Sequence, residues 1–268
     1  MIFLRLIFLS VAIPVVCAAA CLQSQSTQSK NYPALIKDSP DRRAKAEREW
    51  RRMLDAYNVP QTPPDLYPIT YTPRSLLGVA GGIKLTVDPI STASDPLTLR
   101  ELMRSFIDRW RDMIGADPTA LSLVSSDQSG QIKRFTYKQA NYALPIAAPS
   151  GELNVVLSGD GRLMQLDDRL IPVIELPIKP TVEKESIPKR IVGRTFTYTD
   201  FSGRQQRASI SNEAEVAVKQ LVVLPLQKAE AIEIHLAWEV AAGGSLSWTL
   251  YVDAISGEEL KVVQNFQT

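Results

Sequence analysis

Two switches of hydrophobic period constrain this fold more than any single motif. Residues 99–114 carry apolar side chains at the helical interval: Leu99, Leu102, Met103, Phe106, Ile107, Trp110, Met113 and Ile114 form one stripe. Arg100, Glu101, Arg104, Asp108, Arg109 and Arg111 lie outside it, Thr98 and Glu101 have capping-box spacing, and Gly115 supplies a stop. The period then falls to two over residues 132–142, 153–157 and 163–166, with a Ser-Gly-Asp-Gly turn at 158–161. The same order recurs downstream. A weaker helical pattern over 181–192, interrupted by Pro188, precedes strand patterns at 195–198, 205–210, 218–224, 233–240 and 246–252, and Ser256-Gly257-Glu258-Glu259-Leu260 closes the series with a turn and a short strand. Helix first and hairpins afterwards, twice over, predicts an α+β fold of two consecutive modules, each a helix packed on an antiparallel sheet.

The stretch before these modules reads as export followed by a spacer. Arg5 precedes an apolar run from Leu6 to Val16, and Ala18-Ala19-Ala20 follow, the layout of an export signal over residues 1–20. A membrane-spanning helix is the weaker reading, because the apolar run is short and contains Pro14. Ala18-Ala19-Ala20-Cys21 has the form of a bacterial lipobox, which makes Cys21 a candidate lipidation site; Ala18 stands where such signals carry a large aliphatic residue. The alternative is plain secretion with Cys21 as a leftover thiol. The other cysteine, Cys17, lies inside the signal, so the mature chain is expected to hold no intrachain disulfide and to rely on its core.

Residues 21–40, rich in Ser and Gln, are expected to form a flexible tether. Residues 41–94 come next. They comprise a helix over 41–57, with Ala46, Trp50, Met53, Leu54 and Tyr57 on one face, and a segment over 59–74 whose five prolines oppose regular structure. Gly78-Val79-Ala80-Gly81-Gly82 lacks the phosphate-loop ending and reads as a turn into a strand at 83–87. The two modules then occupy residues 95–175 and 176–268.

Residue usage excludes most catalytic chemistry. The chain holds one histidine, His235, so two-histidine zinc sites and two-histidine mechanisms are ruled out. Thirty basic side chains face twenty-nine acidic ones, and loss of Arg5 with the signal evens them, which leaves no electrostatic footprint for nucleic acid. Alternation along 233–240 puts Ile234, Leu236, Trp238 and Val240 on one face, with Glu233, His235 and Glu239 on a face expected to meet solvent. No Gly-x-Ser-x-Gly elbow accompanies the histidine. Asp253 to Glu258 reads as a hairpin turn with Gly257 at positive φ rather than a calcium loop. Trp50, Trp110, Trp238 and Trp248 all fall on predicted apolar faces and read as core. The expectation is a protein that is not an enzyme, with no cofactor and no metal.

Two stretches resemble the propeptides that precede thermolysin- and fungalysin-type metalloproteases. The first is Gln139-Ala140-Asn141-Tyr142-Ala143-Leu144-Pro145-Ile146, then Gly151-Glu152-Leu153-Asn154-Val155, then Asp160-Gly161-Arg162-Leu163, which is similar to the fungalysin/thermolysin propeptide (FTP) pattern. The second, Leu236-Ala237-Trp238-Glu239-Val240 followed by Tyr251-Val252-Asp253-Ala254 and Ser256-Gly257-Glu258, is similar to a PepSY-like module. Ala143 departs from the family's usual Gly, and residues 147–150 lengthen the loop before Gly151. The resemblance implies a cystatin/PepSY-like fold and a non-catalytic binding role: covering a protease cleft or assisting protease folding, here in trans because the sequence ends at Thr268 without a catalytic domain. Tyr142, Leu144, Pro145, Ile146 and Gly151 become the candidate partner-binding residues. The implied partners are an exported metalloprotease and, if Cys21 is acylated, the membrane. The alternative is a structural envelope lipoprotein that reuses the fold.

Overall fold

The computed structural model describes residues 32–267 apart from 77, 86–95, 178 and 245. The expected signal peptide, Cys21 and most of the tether lie outside the described residues. Strand β1 (Ala34–Lys37) opens the fold, followed by helix α1 (Pro40–Ala56) and a small ribbon of β2 (Asp65–Leu66) and β3 (Pro73–Ser75). Next come β4 (Ile83–Lys84), helices α2 (Pro96–Arg109) and α3 (Arg111–Ile114), and strands β5 (Leu121–Ser129), β6 (Ile132–Gln139), β7 (Glu152–Ser158) and β8 (Arg162–Asp168). The second half holds α4 (Ile187–Ile191), the hairpin β9 (Thr195–Thr199) and β10 (Gln205–Ser209), then β11 (Val216–Gln227), β12 (Ala231–Ala242), β13 (Trp248–Asp253) and β14 (Glu259–Gln264).

These elements build two five-stranded sheets in which all strand pairing is antiparallel. The first has the order β4-β8-β7-β6-β5. In the second, β12 is central. It pairs with β11 along one side and, along the other, first with β1 and then with β13, which in turn pairs with β14. Helices α1, α2 and α3 cover the first sheet. Trp50, Met53 and Leu54 join Met103, Phe106 and Ile107 in one buried cluster with Phe135, Leu153, Val155 and Leu163. Each such side chain contributes about 1.5–3 kcal/mol on burial, so the two apolar helix stripes suffice to hold the layers together.

Several local expectations hold. Gly115 ends the helical run at φ 76, Gly257 sits at φ 81, and all four tryptophans are buried. Three differ. The predicted helix over 99–114 starts earlier, at Pro96, and breaks at Trp110, whose backbone leaves the helical region (φ −112, ψ 22). The prolines of residues 59–74 leave room for the short β2–β3 ribbon. Residues 34–37, expected within the tether, form β1 instead, because β12 extends beyond β13 and leaves Ala231 to Ile234 needing a partner.

The loop after β2 ties the two sheets together. Ile69 has φ 72 and Tyr71 has φ 58, and the former is costly for a β-branched residue. What holds Ile69 there is burial of its side chain with Ile36, Ile171, Val223, Ile232 and Ile234. The Arg42 guanidinium donates to the Ile69 carbonyl at 2.7 Å and to that of Lys37 at 3.2 Å.

Candidate functional site

The densest buried polar group lies at a seam in the second sheet. Between residues 234 and 237, β12 passes from pairing with β1 to pairing with β13. The Tyr32 hydroxyl fills that gap, accepting the Leu236 N–H at 3.0 Å and donating to Asp253 Oδ2 at 2.9 Å. The Leu236 carbonyl accepts the Ala254 N–H at 2.8 Å. His235 Nδ1 meets the same Asp253 Oδ2 at 2.8 Å, and its Nε2 meets Glu233 Oε2 at 3.3 Å. Lys228 Nζ closes the chain 3.2 Å from Glu233.

His235 is therefore not the solvent-facing residue that alternation predicts. It is 6 % exposed, its ring in edge contact with Tyr32. Its sheet face carries Leu224, Ala237 and Tyr251, and Ala147 packs on it, so the face is buried. Alternation assigns residues to a common face; it does not say whether that face is wet.

Asp253, read as part of a turn, is 2 % exposed and also accepts the Ile255 and Ser256 N–H groups on Oδ1, at 2.8 and 2.9 Å. Burial opposes its charge, but hydrogen bonds from His235, from those two backbone groups and from Tyr32 outweigh it and hold the carboxyl below its ordinary range. Burial and the Asp253 charge push the Tyr32 phenol up, despite its backbone bond to Leu236. Glu233 is also lowered: His235 and Lys228 prevail over burial.

Chemically this cluster is a clasp. Both imidazole nitrogens face carboxylates, and no hydroxyl or thiol nucleophile among the described residues contacts the ring. Among the described residues, no group of three or more His, Cys, Asp or Glu is arranged to hold a metal ion. Tyr32 carried no local signal: the residue that completes the cluster lies 221 positions from Asp253.

The candidate partner-binding residues fall elsewhere, and their own chain uses them. Tyr142 donates to the Pro172 carbonyl at 2.8 Å and accepts the Ile174 N–H at 3.2 Å. The Pro145 carbonyl accepts the Val223 N–H at 2.9 Å, and the Ala147 N–H donates to the Val223 carbonyl at 2.8 Å. Ile146 makes a parallel bridge to Val223 and, with Leu144, packs in the shared core around Ile69. Gly151 is buried at φ 73, and a Cβ there would lie 2.8 Å from Ile146 Cδ1. The backbone of residues 145–147 thus fastens the outer edge of β11 at Val223.

An open edge lies on the other sheet. Strand β5 pairs with β6 alone, so its other side has no ladder partner among the described residues. Its sequence, Leu-Ser-Leu-Val-Ser-Ser-Asp-Gln-Ser, carries one charge. The register shifts between Leu123 and Ser125, leaving Val124 52 % exposed. Sequence periodicity misses this strand because most of it faces solvent.

Fold and site together define a mixed α+β protein with antiparallel sheets, a polar clasp and an open strand edge at β5. No protein-family model matches the chain, and no curated protein matches it. Among solved structures, the chain is similar to the Bacillus megaterium YpeB C-terminal domain. Identity is 15 %, the match covers 85 % of this chain and 98 % of that one, and the TM-score is 0.36, a likeness too loose to carry an argument.

Proposed function

We propose that this chain is an exported, non-catalytic binding protein that engages an exported thermolysin-type metalloprotease in trans, in the manner of a propeptide. The observation that carries the reading is the open edge of β5, nine residues long with a single charge. Such an edge accepts an extended segment by strand addition, in which main-chain hydrogen bonds supply affinity. Edge strands are commonly blunted by lysines or proline, and this one has neither. The propeptide resemblance of residues 139–163 and 236–258 supports the choice of partner. Under this reading Cys21 carries the lipid that holds the protein at the cell envelope.

The test is a titration of thermolysin-type proteases from the same organism with the purified protein, following peptidase rate and heat of binding. The native chain is expected to bind and to change the rate. A Val124→Lys, Ser126→Lys double variant, altered at two exposed edge positions, is expected to bind at least about tenfold more weakly while keeping its fold. No binding by the native chain would sink the protease reading. Recovery of cell-wall or secretion components from envelope membranes, with no protease, would favour an envelope scaffold.

A further inference from the structure

The most exposed large apolar side chain among the described residues is Phe201, 86 % accessible at the tip of the β9–β10 hairpin. Folding gives no reason for an aromatic there. The turn is defined by the Gly203 N–H donating to the Asp200 carbonyl and the Asp200 N–H to the Arg204 carbonyl, both at 2.9 Å, with Gly203 at φ 80. Nothing in that geometry selects Phe at the position after Asp200. The ring also does not reach the core, unlike its hairpin neighbours Phe196 and Tyr198.

The tip is held firmly. Asp200 Oδ1 accepts from the Ser202 N–H (2.9 Å), the Ser202 hydroxyl (2.6 Å) and the Arg204 N–H (3.0 Å), and Oδ2 accepts from Gln206 Nε2 at 2.9 Å. At the base, Phe196 stacks on Trp248 at 4.5 Å, and Phe266 meets Trp248 and Tyr198 edge-on at 5.1 and 5.3 Å. The hairpin is thus bolted to the second sheet at one end while the phenyl ring is presented at the other. Little backbone entropy therefore remains to be lost on contact, a condition that favours an aromatic anchor.

The unpaired charge on the hairpin is basic. Asp200 and Arg204 pair with each other at 3.4 Å, whereas Arg207, exposed on β10, has no acidic partner among the described residues. From this juxtaposition we propose that Phe201 is the anchor residue of the binding surface, entering an apolar pocket with an acidic rim on the partner protein. The inference rests on the protease-binding reading above and names a contact that reading does not supply. A protein pocket suits one isolated ring better than a bilayer does, since interfacial insertion scales with a larger buried apolar area.

The experiment measures binding of the full chain to the same thermolysin-type protease, alongside Phe201→Ala, Phe201→Tyr and Arg207→Glu, with thermal melts of each and a vesicle arm of anionic phospholipid. Phe201→Ala is expected to melt like the native chain and to bind at least about tenfold more weakly, the loss set by burial of one phenyl ring. Phe201→Tyr should retain most of the affinity, and Arg207→Glu should slow association at low salt. Native-like binding by Phe201→Ala would overturn the anchor and leave the protease reading standing. Absence of binding by the native chain would overturn both. Vesicle binding that requires Phe201, with none to protease, would make the tip a lipid-inserting element and refute the pocket.

Discussion

Replacing Tyr32 by Phe removes one oxygen and keeps the ring against His235, where the centroids lie 5.8 Å apart. Two interactions go with that oxygen. The bond to the charged Asp253 carboxylate contributes about 1.5–3 kcal/mol, and the Leu236 N–H, left facing a ring edge, costs about 1–3 kcal/mol if no other partner reaches it. Tyr32 is half-buried, so water recovers part of this, and a loss of about 2–4 kcal/mol is expected. Urea unfolding followed by tryptophan fluorescence reads the total. Hydrogen exchange across residues 231–236 shows whether β1 peels away first. The Asp253 carboxyl lies below its unfolded value, so its contribution is present above about pH 4 and is lost as pH falls through the folded value. A double-mutant cycle of Tyr32→Phe with Asp253→Ala should therefore show coupling of about 1 kcal/mol or more at pH 7, fading in acid. A loss below about 0.5 kcal/mol, with unchanged exchange at Leu236, would refute the clasp.

Two further predictions concern buried positions. Asp168 is fully enclosed on the core side of β8; one oxygen accepts the Leu170 N–H and the other has no partner among the described residues. Burial, aided by the charge of Asp167, pushes its carboxyl well up, so the contribution of Asp168 to stability is greatest below its unfolded value and is lost as pH rises through the folded one. Asp168→Asn should flatten that decline, whose slope reaches about 1.4 kcal/mol per pH unit; parallel native and variant urea midpoints from pH 4 to 8 would contradict it. Gly151→Ala combines a positive φ with a Cβ 2.8 Å from Ile146 and should cost about 1–3 kcal/mol. Its thermal melt, together with faster amide exchange at Val223 if residues 145–147 lift from β11, checks this; a native-like melt would count against it.

Elements with a strong local pattern were legible. The apolar face of α1, the stripe ending at Gly115, the β9–β10 hairpin and the runs of β7, β12 and β13 all follow from period and turn residues, because each buries an apolar face in a nearby cluster. Weakly patterned elements were not. Strand β5 is largely polar, and β1 is four residues within a polar stretch, so neither has a periodicity to detect. The candidate site was legible only in part. Tyr142, Pro145 and Ile146 stood out as a motif, but nothing local revealed that Val223 would take up their backbone groups.

Residue order alone was enough to establish an α+β chain with antiparallel hairpins and a tryptophan-bearing core. Those properties depend on side-chain type and local period, which the chain states directly. Which strand faces which partner, and which edge stays open, was decided by the tertiary structure. His235 became buried because β12 is central and its second face is covered; Tyr32 reached Asp253 because β1 and β13 leave a seam one hydroxyl wide. Backbone groups must be paired wherever water is excluded, and the residues that satisfy them can come from anywhere along the chain.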